Sequence, residues 1–127
     1  MTRPTLDDIH LEMAQSLSKR AACTRRQVGA LVIDADGRIV ASGYNGAPAG
    51  EVHCTDGGCP RGQLSYDEAA AFSEYTNCTA IHAEANALLR AGEKAVGGTL
   101  VITCQPCHEC ARLAKAARVA RIIYPNI

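Results

Sequence analysis

The sequence lacks an excess of charge of either sign, a long apolar run and the pattern expected of a secretory signal. Thirteen Lys and Arg residues balance thirteen Asp and Glu residues, so the formal net charge is zero. A protein that binds nucleic acid through its phosphates usually carries a basic surplus, which disfavours that class. No apolar run approaches the ~20 residues that span a bilayer, and no charged segment leads into an apolar stretch at the N-terminus. These absences predict a cytoplasmic protein without a membrane segment.

The length and composition are those of one globular domain. The chain has 127 residues, of which 47% are hydrophobic and 20% charged, and a single domain is the default at this size. We therefore expect one domain over residues 1–127. Cysteine is the residue type in excess, with seven copies. An odd count in a chain for which we expect no secretory signal fits a disulfide framework poorly and metal ligation better.

Local patterns predict an α/β chain with one long insertion. Thr5 is suited to cap a first helix, because apolar residues follow it at helical spacing. Residues 45–79 are rich in Gly, Pro and Cys and form the insertion, with one short helix favoured between residues 64 and 75. The other predicted elements are a hairpin over 28–42, a helix over 81–91, a strand over 99–103, a helix opened by Pro106 and running to about 117, and a strand over 121–124.

Two segments carry the residues of a metal site, and each begins a predicted helix. Residues 82–84 read His-Ala-Glu, and residues 106–110 read Pro-Cys-His-Glu-Cys. Cys107 and Cys110 are three positions apart, so both sulfurs are able to meet one ion, and helix N-termini favour thiolates. Together with His82 they predict a zinc site with three protein ligands and a fourth position open for water, which is the catalytic type.

Glu84 has a separate role in this interpretation. It is not needed as a ligand, and a carboxylate beside a zinc-activated water is placed to take its proton as a general base. The combined pattern of His-Ala-Glu followed by Pro-Cys-x-x-Cys is the signature of the zinc nucleobase deaminases. It is far more specific than either half alone.

Beyond this signature, the chain resembles the deoxycytidylate (dCMP) deaminases over nearly its whole length. The resemblance implies a cytidine-deaminase-like fold, a three-layer α/β/α sandwich around a mixed central sheet. It also implies a homo-oligomer with a Zn²⁺ cofactor that converts dCMP to dUMP with release of ammonia. The segments that carry it are Cys23-Thr-Arg-Arg-Gln-Val-Gly-Ala30, Gly43-Tyr-Asn-Gly-Ala-Pro48, Val52-His-Cys54, Cys78-Thr-Ala-Ile-His-Ala-Glu-Ala-Asn-Ala87, the Pro-Cys-x-x-Cys segment and Arg121-Ile-Ile-Tyr124.

The resemblance also implies a set of substrate contacts. A buried 5′-phosphate needs cations or paired donors, and Arg25 and Arg26 lie in the stretch that resembles the phosphate-side loop of the family. Asn45 is expected at the sugar and Tyr124 beside the phosphate. Ala83, between the zinc ligand and the general base, is expected to contact the substrate.

A second, structural zinc is the expectation for the cysteines that remain. Four is the number of ligands that a closed tetrahedral site needs, and a metal would stabilise a long loop that has little core of its own. The resemblance supports this expectation, and His53 is an alternative ligand. Four reduced thiols are the competing interpretation. The residues concerned are Cys23, Cys54, Cys59 and Cys78.

Other functions stay open at this level. The substrate could be another cytosine nucleoside or nucleotide, or an adenosine in tRNA, although a tRNA enzyme would need a basic surface. A non-enzymatic zinc or iron–sulfur module could use Cys104 with Cys107 and Cys110. We interpret Cys104 as a small core residue near the site, His108 as solvated and His10 as covering a core edge.

Overall fold

The computed structural model describes residues 2–21, 26–46 and 81–125, and these hold three α-helices and four strands. The predicted insertion lies outside the described residues from position 47 onward, as does the short helix expected within it. A 3-10 turn over Gly92–Ala95 follows the second helix. The elements are α1 (Leu6–Ser18), β1 (Gly29–Ile33), β2 (Ile39–Tyr44), α2 (Ala83–Ala91), β3 (Thr99–Ile102), α3 (His108–Ala116) and β4 (Arg121–Ile123).

The four strands form one mixed sheet in the order β2-β1-β3-β4. β1 is antiparallel to β2, as the hairpin prediction requires, and it is also antiparallel to β3. β3 and β4 are parallel and are connected through α3, with Leu100 opposite Ile122. This β-α-β unit is the one that the sequence predicts at the end of the chain.

Helices cover both faces of the sheet. All five residues of β1 are buried. Successive side chains of a strand point to opposite faces, so both faces of β1 are covered. Leu31 and Ile33 pack in a small core with Ala14 of α1. Ala30 and Val32 pack in the larger core, which α2 and α3 close from the other side. The predicted three-layer α/β/α architecture is therefore confirmed.

The helix starts show where local signals succeed and where they shift. Thr5 caps α1 as predicted, since its Oγ1 accepts a hydrogen bond from the Asp8 amide at 3.1 Å. Pro106, however, does not open α3, which begins two residues later. Cys107 occupies the N-cap with extended backbone angles (φ −70°, ψ 167°), and an N-cap residue is not itself helical. His82 is likewise the N-cap of α2.

These connections gather several loop segments at one end of the sheet. The first residue of β1 and the residue after β3 are joined there, since the Thr103 amide donates to the Gly29 carbonyl oxygen at 3.1 Å. The N-termini of α2 and α3 lie at the same end, because these helices follow the ends of β2 and β3. Within the described ranges, every helix is too short or too polar to cross a membrane.

Candidate metal and active site

The segment before α2 is hydrogen-bonded to the residues that follow β2. Gly46 and Ile81 form an isolated antiparallel bridge. The Ile81 amide donates to the Gly46 carbonyl at 2.7 Å, and the Gly46 amide donates back at 3.1 Å. This reciprocal pair fixes the backbone directly before His82, the N-cap of α2.

His82, Cys107 and Cys110 bring their donor atoms together. The Nδ1 atom of His82 lies 3.5 Å from Cys107 Sγ and 3.4 Å from Cys110 Sγ, and the three atoms lie within 4.8 Å of one another. A tetrahedral Zn²⁺ with ordinary Zn–N and Zn–S bonds places such a nitrogen and sulfur about 3.5 Å apart. The donor set and its spacing therefore fit zinc.

The electrostatics of the site also call for a cation. Cys110 is only 2% exposed. Its burial, followed by the negative charge of Glu84 and a hydrogen bond with Cys107, raises the pKa of the Cys110 thiol well above its usual range. Without a metal this sulfur keeps its proton, whereas a divalent cation stabilises the thiolate that zinc ligation needs.

Glu84 lies in the first turn of α2, and it is only 4% exposed. Its carboxyl group is within hydrogen-bonding reach of the Cys110 side chain. In the part of the chain that the structure describes, no Lys or Arg forms an ion pair with it. A buried carboxylate without a positive partner is costly, so a cation at the neighbouring donor group supplies the missing charge.

Two of the residues expected around the substrate, Arg26 and Asn45, lie at the same end of the sheet. Arg26 donates from Nη2 to the sulfur of Cys104 at 2.9 Å. Cys104 lies three residues before Cys107 of the donor group. Asn45 binds the backbone on both sides of residue 27: its Nδ2 donates to the Arg26 carbonyl at 2.7 Å, and its Oδ1 accepts from the Val28 amide at 2.8 Å. Asn45 therefore fixes the loop that carries Arg26.

The other sequence-predicted residues divide between described and undescribed positions. Ala83 is fully buried as the first residue of α2, and Tyr124 is 40% exposed just after β4. His108 is exposed, His10 is buried at 8% exposure, and both agree with their interpretation. The positions that lie outside the described residues are Cys23, Arg25, His53, Cys54, Cys59 and Cys78.

Cys104 packs partly buried against the larger core, as expected. Among the described residues it does not join the donor group of His82, Cys107 and Cys110, which disfavours a cluster built on three cysteines. Its contact with Arg26 was not predicted, because no local pattern relates residues 78 positions apart. The hydrogen bonds from the Asn45 side chain to the backbone of Arg26 and Val28 were not predicted for the same reason. An Asn directly after a strand was, however, a signal for a side chain that binds backbone.

Comparisons with known proteins identify the family of the chain. The family model of the cytidine and deoxycytidylate deaminase zinc-binding region matches residues 4–126. The chain is 41% identical to the deoxycytidylate deaminase of Mycobacterium phage D29 over 133 residues, which cover 98% of each chain. It is 39% identical over 105 residues to that of Schizosaccharomyces pombe, of which it spans 31%.

A solved structure gives the same result for the fold. The crystal structure of dCMP deaminase from the cyanophage S-TIM5, in complex with dCMP and dUMP, superposes with a TM-score of 0.74 at 29% identity. The match covers 98% of this chain and 83% of the cyanophage chain. With its zinc-type donor group, its fold and a family match over almost its entire length, the chain belongs to the cytidine and deoxycytidylate deaminase family.

Proposed function

We propose that this chain catalyses the hydrolytic deamination of dCMP to dUMP with release of ammonia. The observation that carries the proposal is the convergence of His82, Cys107 and Cys110 beside the buried carboxyl group of Glu84. The choice of dCMP is supported by the relatives named deoxycytidylate deaminase and by the cyanophage enzyme solved with dCMP and dUMP.

The site residues divide the chemistry between them. His82, Cys107 and Cys110 would hold Zn²⁺, which supplies Lewis-acid activation of water at neutral pH. Glu84 accepts the proton of the attacking water and delivers it to N3 of the cytosine ring. It then takes the second proton from the hydroxyl group that the attack leaves on C4, and passes this proton to the amino group, which departs as ammonia. The oxygen of water thus replaces the amino nitrogen, and the carboxylate ends in its starting state.

The nucleotide's other groups are assigned to the rim of the site. Arg25 and Arg26 bind the 5′-phosphate, Asn45 contacts the sugar, and Ala83 and Tyr124 line the pocket. The exposed guanidinium of Arg26 is supported by the Cys104 contact, and its backbone is held by Asn45. A pre-positioned arginine loses less conformational entropy when it binds a phosphate.

Three further properties belong to the proposal. A single domain over residues 1–127 is supported by the family match over residues 4–126. A homo-oligomer is supported by the family resemblance alone. A cytoplasmic location is supported by the cysteines, because thiols stay reduced in the cytosol. The chain has seven, an odd number, and the three in the described residues are free.

The proposed function is tested with a substrate panel on the zinc-loaded protein. The panel contains dCMP, CMP, deoxycytidine, cytidine and an adenosine-bearing tRNA, and ammonia release is measured for each. We expect dCMP to be preferred over deoxycytidine by about a hundredfold or more in kcat/KM, because the phosphate supplies charge-assisted contacts. Equal turnover of the two would remove the phosphate site and indicate a nucleoside deaminase. Turnover of tRNA alone would indicate an adenosine deaminase.

A further inference from the structure

We propose that Asn86 is a positioning residue for the metal site, acting through the backbone that carries His82 and Glu84. The expected effect of Asn86 on dCMP turnover rests on the proposed function, whereas its expected effect on metal binding does not rest on it. Asn86 lies in α2 between the end of β2 and the segment that precedes the helix. It belongs to neither the donor group nor the substrate contacts assigned above.

The side-chain amide of Asn86 joins three parts of the chain. Its Nδ2 donates to the Tyr44 carbonyl oxygen at 3.0 Å and is 3.4 Å from that of Ile81. Tyr44 is the last residue of β2, and Ile81 directly precedes His82. One amide nitrogen therefore connects the strand end, the backbone before the helix and the helix itself. Removing it takes this donor from the Tyr44 carbonyl, whereas the Ile81 carbonyl still accepts from the Gly46 amide.

A close approach of α2 to β2 makes this connection stiff. A Cβ atom built on Gly43 would lie 2.6 Å from the Ala83 carbonyl oxygen and 2.7 Å from the Ala87 amide nitrogen. Both are backbone atoms, which cannot move aside as a flexible side chain does. The absence of a side chain at Gly43 thus lets the first turns of α2 rest directly on the strand, next to Asn86.

The residues that must be placed accurately for metal binding lie between the two points at which this segment is held. His82 and Glu84 fall between Ile81 and Asn86, so both ends of their segment are fixed to the end of β2. The His82 Nδ1 atom stands 3.4 and 3.5 Å from the two sulfurs, and zinc sites accept bond-length deviations of only about 0.2 Å. A small displacement of α2 therefore changes the geometry at the metal and the direction of the carboxylate.

The chain provides a matched control in Arg90, one turn further along α2. Its Nη1 donates to the Ser42 carbonyl at 3.3 Å, so it also connects this helix to β2 by a side-chain-to-backbone hydrogen bond. Arg90 is exposed and lies away from the N-terminus of the helix. Asn86→Ala and Arg90→Ala thus each remove one connection of the same type, and only the first is next to the metal site.

Both variants and the unaltered protein are loaded with Co²⁺, and the absorption spectrum of the bound Co²⁺ is recorded. The turnover of dCMP is measured on the same three proteins loaded with Zn²⁺. Removal of groups that orient metal ligands typically costs about 10–100-fold in affinity or activity. We expect Asn86→Ala to shift the Co²⁺ absorption, to weaken metal affinity and to lower kcat by about tenfold or more, with KM changed by less than about threefold. Arg90→Ala should leave these quantities near those of the unaltered protein.

The opposite pattern overturns the inference. If Asn86→Ala and Arg90→Ala show the same Co²⁺ spectrum, affinity and kcat, Asn86 only stabilises the fold. Gly43→Ala serves as a second variant if Asn86→Ala does not fold. It keeps the Asn86 side chain but moves α2 away from the strand, which separates the Asn86 amide from the Tyr44 carbonyl; an unchanged spectrum there also contradicts the proposal. If the unaltered protein binds Co²⁺ but does not deaminate dCMP, the proposed function fails, and the spectra still decide the role of Asn86.

Discussion

The residues of the site are individually ordinary, and their chemistry comes from being buried together. A carboxyl group at 4% exposure lies beside a thiol at 2% exposure, and water is too scarce there to stabilise two negative charges. Protons or a cation must compensate them. The fit of this position to a metal therefore rests on the burial of Glu84 and Cys110 as well as on the distances to His82.

Zinc affinity should depend on pH with a definite sign. Because the pKa of the Cys110 thiol is raised in the metal-free protein, that form holds a proton which the zinc-bound thiolate lacks. Binding therefore releases the proton, and affinity falls as the pH is lowered. We expect about a tenfold change or more per pH unit between about pH 6.5 and 7.5, measured by competition with a chromophoric chelator. Cys104→Ser should keep the slope, and an affinity independent of pH would be inconsistent with this site.

Arg26 should determine the preference for the phosphate. Arg26→Ala is expected to raise the KM for dCMP by about tenfold or more, because a charge-assisted contact is lost. The weak activity on deoxycytidine should change little, since that substrate has no phosphate. Steady-state kinetics on both substrates measure the difference. Arg38→Ala, an exposed arginine just before β2, is the control, and an equal effect of both variants on dCMP would refute the assignment.

At the level of elements, the metal site lies where the N-termini of two helices meet. His82 and Cys107 are the N-caps of α2 and α3, and neither side chain makes a capping hydrogen bond. Their carbonyls accept the first helical bonds, from Asn86 at 3.0 Å and Ala111 at 2.9 Å. A metal held by both N-caps therefore stabilises two helices at once.

Removal of zinc should loosen these two helix starts selectively. After chelation we expect faster amide hydrogen exchange over residues 86–89 and 111–114, measured by mass spectrometry, and a Tm lowered by about 5 °C or more. α1 is the internal control, because it packs on the other face of the sheet through Ala14. Uniform acceleration across all three helices, or none, would show that the metal does not hold the helix starts.

The sequence predicts these elements unevenly, and the reasons are physical. The Thr5 cap and the turn between β1 and β2 are encoded within a few residues, so local patterns find them. The start of α3 is shifted because Cys107 takes the non-helical cap position to reach its partners, a tertiary requirement. The donor group of His82, Cys107 and Cys110 is predictable, because its residues fall in two short segments with local spacing. The Arg26–Cys104 and Asn86–Tyr44 contacts join distant positions and need the fold.

For the whole molecule, the sheet determines where chemistry is placed. β1 is buried on both faces, and the loops before it and after β3 meet at the end where α2 and α3 begin. A rigid three-layer core thus holds the ligands on separate elements, as preorganised sites require. The predicted fold class and family are confirmed at this scale, whereas the insertion that distinguishes the chain lies outside the described residues.

The four cysteines outside the described residues, Cys23, Cys54, Cys59 and Cys78, should hold a second zinc. Metal analysis of the purified chain is expected to give close to two zinc ions, one at the donor group of His82 and one held by cysteines outside the described residues. The double substitution Cys54→Ser with Cys59→Ser should reduce this to one ion, since it removes two of the four expected ligands. A value of one zinc for the unaltered protein would leave these cysteines as reduced thiols.

The most direct test of catalysis by Glu84 beside zinc is the turnover of dCMP by Glu84→Gln, with zinc content and Tm measured on the same sample. Glu109→Gln is the matched control, because Glu109 adjoins the ligand Cys110 in sequence but its side chain is 71% exposed. We expect Glu84→Gln to retain zinc and fold while kcat falls by about a thousandfold, the range of a lost general acid–base group, and Glu109→Gln to remain near the unaltered rate. A Glu84→Gln protein that keeps its zinc and turns over dCMP within about tenfold of the unaltered protein would contradict the account.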